Sequence, residues 1–303
     1  MKIEELNHSF YGRCIRLSAG GIRLITTVDV GPRIVYYGDK NNNVLYNDRD
    51  NLINKGGPYF DKNFKKGERW RIYGGHRLWK SPEDLATYVP DNYPCTFEVV
   101  ERGIRLISPV EKMTGLLKTI TITMTENGDV KLEHSFTNKG RSTSRVSLWA
   151  ITVMEAGGKA LVPLCDQDTG FLPNRNLVYW PYSQNNDPRL RIMDQYLTLE
   201  QERTADRAFK VGLFNRYGVL GYYRRGTLFI KRFTGQDSLQ YPDYQCNAEL
   251  YTDSYILELE TLSPLCELKT GEITTHTEQW SFKNIRIDHD LDLYKAVMKE
   301  ASL

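Results

Sequence analysis

The chain has 303 residues, 40% of them hydrophobic and 26% charged, which is typical of a folded globular protein and excludes a disordered or collagen-like chain. Its 40 lysines and arginines nearly balance 38 aspartates and glutamates, so the net charge of +2 provides no basic field for nucleic acid. No stretch approaches the roughly 20 apolar residues that span a bilayer, and the N-terminus lacks the layout of a signal peptide. We therefore expect a cytoplasmic protein with no nucleic-acid or membrane partner, and the sequence carries no signal for its oligomeric state.

Alternation of apolar and polar residues dominates the chain. The expected strands, in chain order, are 22–30, 33–37, 96–108, 119–124, 130–136, 145–154, 211–214, 218–223, 227–233, 255–262 and 274–282. The runs 119–124 and 130–136 flank Asn127-Gly128, a pair that favours a tight hairpin turn. Helical signals are few, and the clearest is a short helix at about 290–300 beginning near Asp290. The pattern predicts one all-β sandwich domain over residues 1–303.

Common cofactor and metal motifs are absent from the sequence. There is no G-x-G-x-x-G, no phosphate-binding loop, no G-x-S-x-G and no H-E-x-x-H. The five cysteines are an odd number with no C-x-x-C pair, and no two of the five histidines are spaced to share a metal on one element. We expect no cofactor and no metal.

The densest group of chemically useful residues lies in 70–83, around Gly74-Gly75. It contains Arg71, His76, Arg77 and Trp79, and a flat indole beside guanidinium donors suits the apolar face and the hydroxyls of a sugar. We read the segment as a loop, where functional groups concentrate, and His76 is the first candidate for catalysis. The alternative is a turn whose tryptophans only fill the core.

A second group lies in 255–265. Strand alternation places Glu258 and Glu260 on one face, where the repulsion of two carboxylates can raise the pKa of one toward the range of a general base. The alternative is a solvated outer face. Further candidates for contacting a ligand are weaker and share only a polar or aromatic side chain in an apolar or loop context: His134, Trp180, Lys210, Lys231, Asp243, Asn247 and Glu249.

The order of these segments resembles the galactose mutarotase-like superfamily over nearly the whole chain, and more closely a branch that carries the motif Y-G-G-H-R-L-W, here residues 73–79. Residues 28–34 look like the first strand pair of that family, and 257–261 like the strand that bears its catalytic glutamate. Residues 269–282 are similar to the strand that closes its fold. The resemblance implies a β-supersandwich of two large antiparallel sheets with a carbohydrate ligand.

In such enzymes a glutamate takes the proton of the anomeric hydroxyl while a histidine protonates the ring oxygen. Glu260 matches the position of the base. The family's strand histidine is absent, because the strand after Thr137-Asn138 reads Leu148-Trp149-Ala150-Ile151. Either His76 or His134 is then the acid of an aldose 1-epimerase-like isomerase, or the protein binds or senses a sugar without epimerising it. A lyase or hydrolase reaction on the same scaffold is a third possibility.

Overall fold

Two large antiparallel β-sheets dominate the computed structural model, which describes residues 1–301. Within those residues the strands are β1 (Lys2–His8), β2 (Gly12–Ala19), β3 (Ile22–Thr27), β4 (Ile34–Gly38), β5 (Asn54–Lys55), β6 (Trp70–Arg71), β7 (His76–Ser81), β8 (Thr96–Val100), β9 (Gly103–Ile107), β10 (Leu116–Met124), β11 (Val130–Asn138), β12 (Ser144–Met154), β13 (Lys159–Pro163), β14 (Val178–Tyr179), β15 (Leu190–Ile192), β16 (Tyr196–Glu200), β17 (Phe209–Leu213), β18 (Val219–Arg224), β19 (Thr227–Phe233), β20 (Ala248–Thr252), β21 (Leu257–Leu262), β22 (Cys266–Leu268) and β23 (Ile273–Asn284). The helices are α1 (Pro58–Asn63), α2 (Pro242–Gln245) and α3 (Asp290–Met298), and Leu85–Thr87 forms a 3₁₀ turn.

The first sheet has eleven strands, ten of which run side by side in the order β1-β2-β3-β4-β7-β12-β21-β20-β17-β14, while β22 pairs with β12. The second sheet has ten strands in the order β15-β16-β13-β18-β19-β23-β11-β10-β9-β8. Strands β5 and β6 form a separate small ribbon. The all-β prediction is confirmed, since two large antiparallel sheets face each other across one core.

The hairpin of β10 and β11 shows how the sequence specifies the second sheet. Residues of β10 alternate strictly between buried and half-buried, and Ile122 lies opposite Leu132 while Met124 lies opposite Val130. The Gly128 φ of 91° is a left-handed angle that glycine adopts without strain, which permits the tight turn after Asn127. The predicted hairpin is therefore present.

The central strands of the first sheet are buried on both faces. Every residue of β21 is buried, and so are the last nine residues of β12. One face packs into the main core between the sheets, where Leu148, Leu257 and Leu259 lie. The opposite face, which we call the outer face, packs against connecting segments in a second apolar cluster that includes Trp79 and Trp149. The outer face is therefore covered instead of solvated, and this cover creates the candidate site.

No helix within residues 1–301 has both the length and the apolar character needed to cross a bilayer.

Candidate active site

Alternation along three adjacent strands divides their side chains between the two faces of the first sheet. On the outer face, Arg77 of β7, Ile151 of β12 and Glu260 of β21 are neighbours in register. One step along, Trp79 lies opposite Trp149. On the inner face, His76 lies opposite Thr152. A single stretch of three strands thus presents acidic, basic and indole groups on one side and a histidine on the other.

A cavity of about 320 Å³ lies on the outer face, above these strands. That volume falls in the range of small-molecule sites, about 300–1,000 Å³. Its aromatic lining includes Trp70, Trp79, Tyr88, Trp149, Trp180 and Tyr251. Its charged lining consists of Lys55, Arg77, Glu83, Lys210, Asp253 and Glu258. Aromatic walls with a few charged groups suit a ligand that has apolar faces and polar edges, as a sugar ring does.

Arg77 lies between two indoles and one carboxylate. Its guanidinium carbon is 4.6 Å from the centre of the Trp79 ring and 5.7 Å from that of Trp70, both within cation–π range. Its Nη2 donates to Oε1 of Glu258 at 3.4 Å, while Nε and Nη1 are buried and have no hydrogen-bond partner. The weak single contact leaves donor capacity for a bound ligand.

Lys210 of β17 joins two glutamates beneath the cavity. Its Nζ is 2.7 Å from Oε2 of Glu249 and 2.8 Å from Oε2 of Glu260, and 4.6 Å from the ring centres of both Trp149 and Trp180. Burial opposes the charge of Lys210, yet the two carboxylates raise its pKa well above the usual value. Trp149 also donates its Nε1–H to Oε2 of Glu260 at 2.6 Å. Glu260 is therefore held by a cation and by an indole, and it has no exposed surface.

Glu258 is the glutamate of this group that lines the cavity. Burial raises its pKa to about 7, and nearby Glu260 adds to that rise while Arg77 and Lys210 oppose it. Burial also raises the pKa of Glu249. The cluster thus contains three carboxyl groups, Glu249, Glu258 and Glu260, for two cations, Arg77 and Lys210. Like charges brought together in a dry environment raise one another's pKa, and this is the direction found for Glu249 and Glu258.

His76 belongs to a separate polar cluster between the sheets. Its Nδ1 is 2.8 Å from Oγ1 of Thr152 and its Nε2 is 2.7 Å from Nε2 of His134. The Nδ1 of His134 faces the carbonyl of His276 at 3.1 Å, so this nitrogen must donate. The hydrogen bonds of the cluster then run in one direction: Thr152 donates to His76, and His76 donates to His134. Both imidazoles are neutral in this arrangement, which agrees with burial lowering the pKa of each.

Glu278 provides the negative charge of the same inter-sheet cluster. Its carboxylate accepts from Lys231 at 2.9 Å, from Thr261 at 2.5 Å and from the indole of Trp280 at 2.9 Å. His76, His134 and Glu278 lie close enough to share a metal ion. However, the carboxylate already has three donors and the adjacent Lys231 is cationic, so the electrostatics of the cluster are satisfied without an ion.

The structure separates the two residues expected to form the acid–base pair. Glu260 faces the cavity side of the sheet and His76 the inter-sheet core, so no ligand in the cavity contacts His76. His134 and Lys231 are likewise fully buried between the sheets. The physical reason is that the segment read as a loop contains strand β7, in which consecutive residues point to opposite faces.

The remaining predicted residues divide between the cavity and its surroundings. Those that line the cavity are Arg77, Trp79, Trp180, Lys210 and Glu258, and Glu249 and Glu260 lie behind Lys210. Asp243 lies beside Trp180 in an adjoining depression, where burial raises its pKa. Asn247 braces a loop through two hydrogen bonds to the backbone of Asn215, and Arg71 does not line the cavity.

Sequence reasoning did not select several cavity residues, notably Trp70, Trp149, Tyr251, Glu83 and Lys55. Trp149 carried a detectable signal, because it lies in the same long strand pattern as Ile151 and an indole is costly to leave on a solvated face. Trp70 and Glu83 lie at the two ends of the segment 70–83 but were not named as ligand contacts, whereas Lys55 and Tyr251 are far apart in the chain and only the fold brings them to the cavity.

No protein-family model matches the chain, and no curated protein sequence matches it. Solved structures do. A protein from Klebsiella pneumoniae named as a candidate aldose 1-epimerase superposes with a TM-score of 0.60 at 11% identity, covering 98% of this chain and 86% of that one. A galactose mutarotase-like protein from Lactobacillus casei gives a TM-score of 0.54 at 8% identity, covering 89% and 100% of the two chains.

A second galactose mutarotase-like protein, from Clostridium acetobutylicum, gives a TM-score of 0.53 at 12% identity and covers 94% of this chain and 99% of that one. Identities this low establish the fold alone. The chain therefore has the galactose mutarotase-like β-sandwich fold that its sequence resembled.

Proposed function

We propose that the outer-face cavity binds a monosaccharide and that its glutamate cluster exchanges the proton of the anomeric hydroxyl, the reaction class of an aldose 1-epimerase. The observation that carries this proposal is the carboxyl group of Glu258. It lies on an aromatic cavity, beside Arg77, with its pKa raised to about 7. A group with that pKa is present as acid and as base at neutral pH, as proton exchange requires.

In the proposed reaction, a glutamate carboxylate removes the proton from O1 of the cyclic sugar. The O–H electron pair becomes the C1=O1 double bond, the C1–O5 bond breaks with its electron pair going to O5, and the carboxyl group passes the proton it has taken to O5. Rotation about C1–C2 followed by the reverse proton transfers gives the other anomer. Glu258 is the carboxyl that meets the ligand. Glu260, fixed by Lys210 and Trp149, lies behind it and raises the pKa of Glu258.

The names of the structural neighbours also favour a reaction at the anomeric centre, since one is named as a candidate aldose 1-epimerase and two as galactose mutarotase-like. The aromatic lining supports a sugar over a flat or strongly charged ligand, because indole faces pack against the C–H surface of a pyranose.

The test is the exchange rate between α and β anomers, measured by two-dimensional exchange NMR on glucose, galactose and their derivatives. We expect exchange above the buffer rate with the wild type and a loss of about 100-fold or more in Glu258→Gln, the usual scale for removing a general base. Glu101→Gln, which neutralises an exposed glutamate in the turn between β8 and β9, is the matched control. Wild-type exchange by Glu258→Gln would refute the assignment.

A second function, sugar binding without turnover, is favoured by one observation. None of the five histidines, all of which lie within residues 1–301, lines the cavity. Binding of a sugar in calorimetry together with exchange no faster than in buffer would establish this alternative.

A further inference from the structure

Two of the three cations that line the cavity already contact carboxylates. Lys210 contacts two glutamates, and Arg77 contacts Glu258. The Nζ of Lys55 lies 3.7 Å from the centre of the Tyr88 ring, and Tyr88 donates its hydroxyl to Glu83. An incoming anion therefore competes with acidic neighbours for Lys210 and Arg77, although Arg77 keeps two N–H donors without a partner.

The balance of charge around the cavity is negative. The lining holds three cations, Lys55, Arg77 and Lys210, and three carboxylates, Glu83, Asp253 and Glu258. Glu249 and Glu260 lie directly behind Lys210, and Oε1 of each is buried with no hydrogen-bond partner. Five carboxyl groups thus surround three cations, so an acidic excess remains even when one of the five is protonated. A uronate or a sugar phosphate entering here meets net repulsion, whereas an ammonium group meets attraction.

We propose that the cavity selects an amino sugar, specifically an aldose that carries a protonated amine at C2 next to the anomeric hydroxyl. The inference rests on the proposed function, because contact of the anomeric hydroxyl with Glu258 is what brings the C2 substituent to the same carboxylate. The ammonium and the hydroxyl then donate to one carboxylate, whose two oxygens accept both. The groups that face this carboxylate are Arg77, Lys210, Glu260, Asp253 and Tyr251.

The aromatic lining is compatible with this ligand. Indole and phenol faces stabilise a cation electrostatically as well as packing against the sugar ring. The buried oxygens of Glu249 and Glu260 that accept no hydrogen bond add negative potential without blocking the cavity. A neutral sugar gains the packing but not the charge interaction, so the two contributions can be measured separately.

The experiment compares four ligands that share one ring: glucosamine, glucose, N-acetylglucosamine and glucuronate. Calorimetric titration at low salt and pH 7.2, where the carboxylate form of Glu258 and the ammonium form of glucosamine are both populated, measures their dissociation constants with the full chain. We expect glucosamine to bind at least about tenfold more tightly than glucose, which is a difference in binding free energy of about 1.4 kcal/mol. Glucuronate should bind most weakly of the four. In Glu258→Gln the preference for glucosamine over glucose should fall below about threefold, while Glu101→Gln keeps it.

Lys55→Met provides a second variant with the opposite expected sign, since it removes a cation from the lining. Its preference for glucosamine should rise by about two- to fivefold. Equal or tighter binding of glucose, N-acetylglucosamine or glucuronate by the wild type overturns the amino-sugar inference but leaves the proposed function standing. Failure of all four ligands, and of their galacto counterparts, to bind overturns both.

Discussion

Lys210 is the residue whose removal tests the electrostatics of the site most directly. Lys210→Met keeps much of the side-chain volume but leaves Glu249 and Glu260 buried without their shared cation. Removing one partner from a buried ion pair costs about 3–5 kcal/mol. With an unfolding entropy of about 2.1 cal/mol/K per residue, a chain of 303 residues should lose roughly 5–8 °C in Tm.

The loss should depend on pH in a defined direction. Without Lys210 the folded-state pKa of Glu249 rises further, while in the unfolded chain it stays near about 4.3. The folded state then binds more protons than the unfolded state above that value, so its stability falls as pH rises. The deficit of Lys210→Met relative to wild type should therefore be larger at pH 8 than at pH 5.

Urea denaturation at the two pH values measures this deficit. Lys131→Met, which removes an exposed lysine from β11, is the control and should stay within about 0.5 kcal/mol of wild type. The double variant Lys210→Met/Glu249→Gln should recover part of the loss because one buried charge is gone. A Lys210→Met protein as stable as the control, or a deficit that does not change with pH, would refute this account of the cluster.

Anomer exchange by the wild type should rise with pH and level off above about 7, because the carboxylate form of Glu258 accepts the proton. Exchange rates measured by NMR from pH 5.5 to 8.5 will show whether this rise is present and whether Glu258→Gln abolishes it. Trp79→Ala removes a wall of the cavity and should weaken sugar binding by about 3- to 10-fold in calorimetry. Phe171→Ala, at a fully exposed position, should leave the affinity unchanged. Equal sugar affinities of the two variants would argue against the cavity as the binding site. The free energy of unfolding should fall as pH drops below about 6.5, by up to about 1.4 kcal/mol per pH unit for each buried histidine. Burial lowers the folded-state pKa of His76, His134 and His276, the last to about 3, so the unfolded chain binds more protons than the folded one in this range. Urea titrations should give a shallower slope for His134→Phe, and an unchanged slope would count against neutral buried imidazoles.

Local alternation predicted more of this protein than any motif. It located most strands of the second sheet and nearly half of those of the first, and it required Glu258 and Glu260 to share a face, as they do. The same rule, applied to 76–81, separates His76 from Arg77. Reading that segment as a loop because of Gly74-Gly75 concealed the alternation, and with it the fact that His76 points away from the cavity.

Long-range packing was beyond the reach of local patterns. Lys210 and Lys231 both interrupt apolar strands, yet one lies beneath the cavity and the other in the inter-sheet core. Which face a lysine occupies depends on the strands that pair with its own, here β20 for Lys210 and β18 and β23 for Lys231. Likewise, the burial of the outer face depends on connecting segments such as 53–72, whose docking no periodicity reveals.

The two glutamates of β21 also constrain how the first sheet can assemble. A shift of one residue in the pairing of β21 would turn Glu258 and Glu260 into the core between the sheets and move Leu257 and Leu259 out of it. Two carboxylates in that core would lack Lys210 and Arg77 as partners, at a cost of several kcal/mol for each. Misregistered forms of this strand are thus strongly disfavoured, and the acidic pair helps to specify the native alignment of β12, β21 and β20 before any ligand is bound.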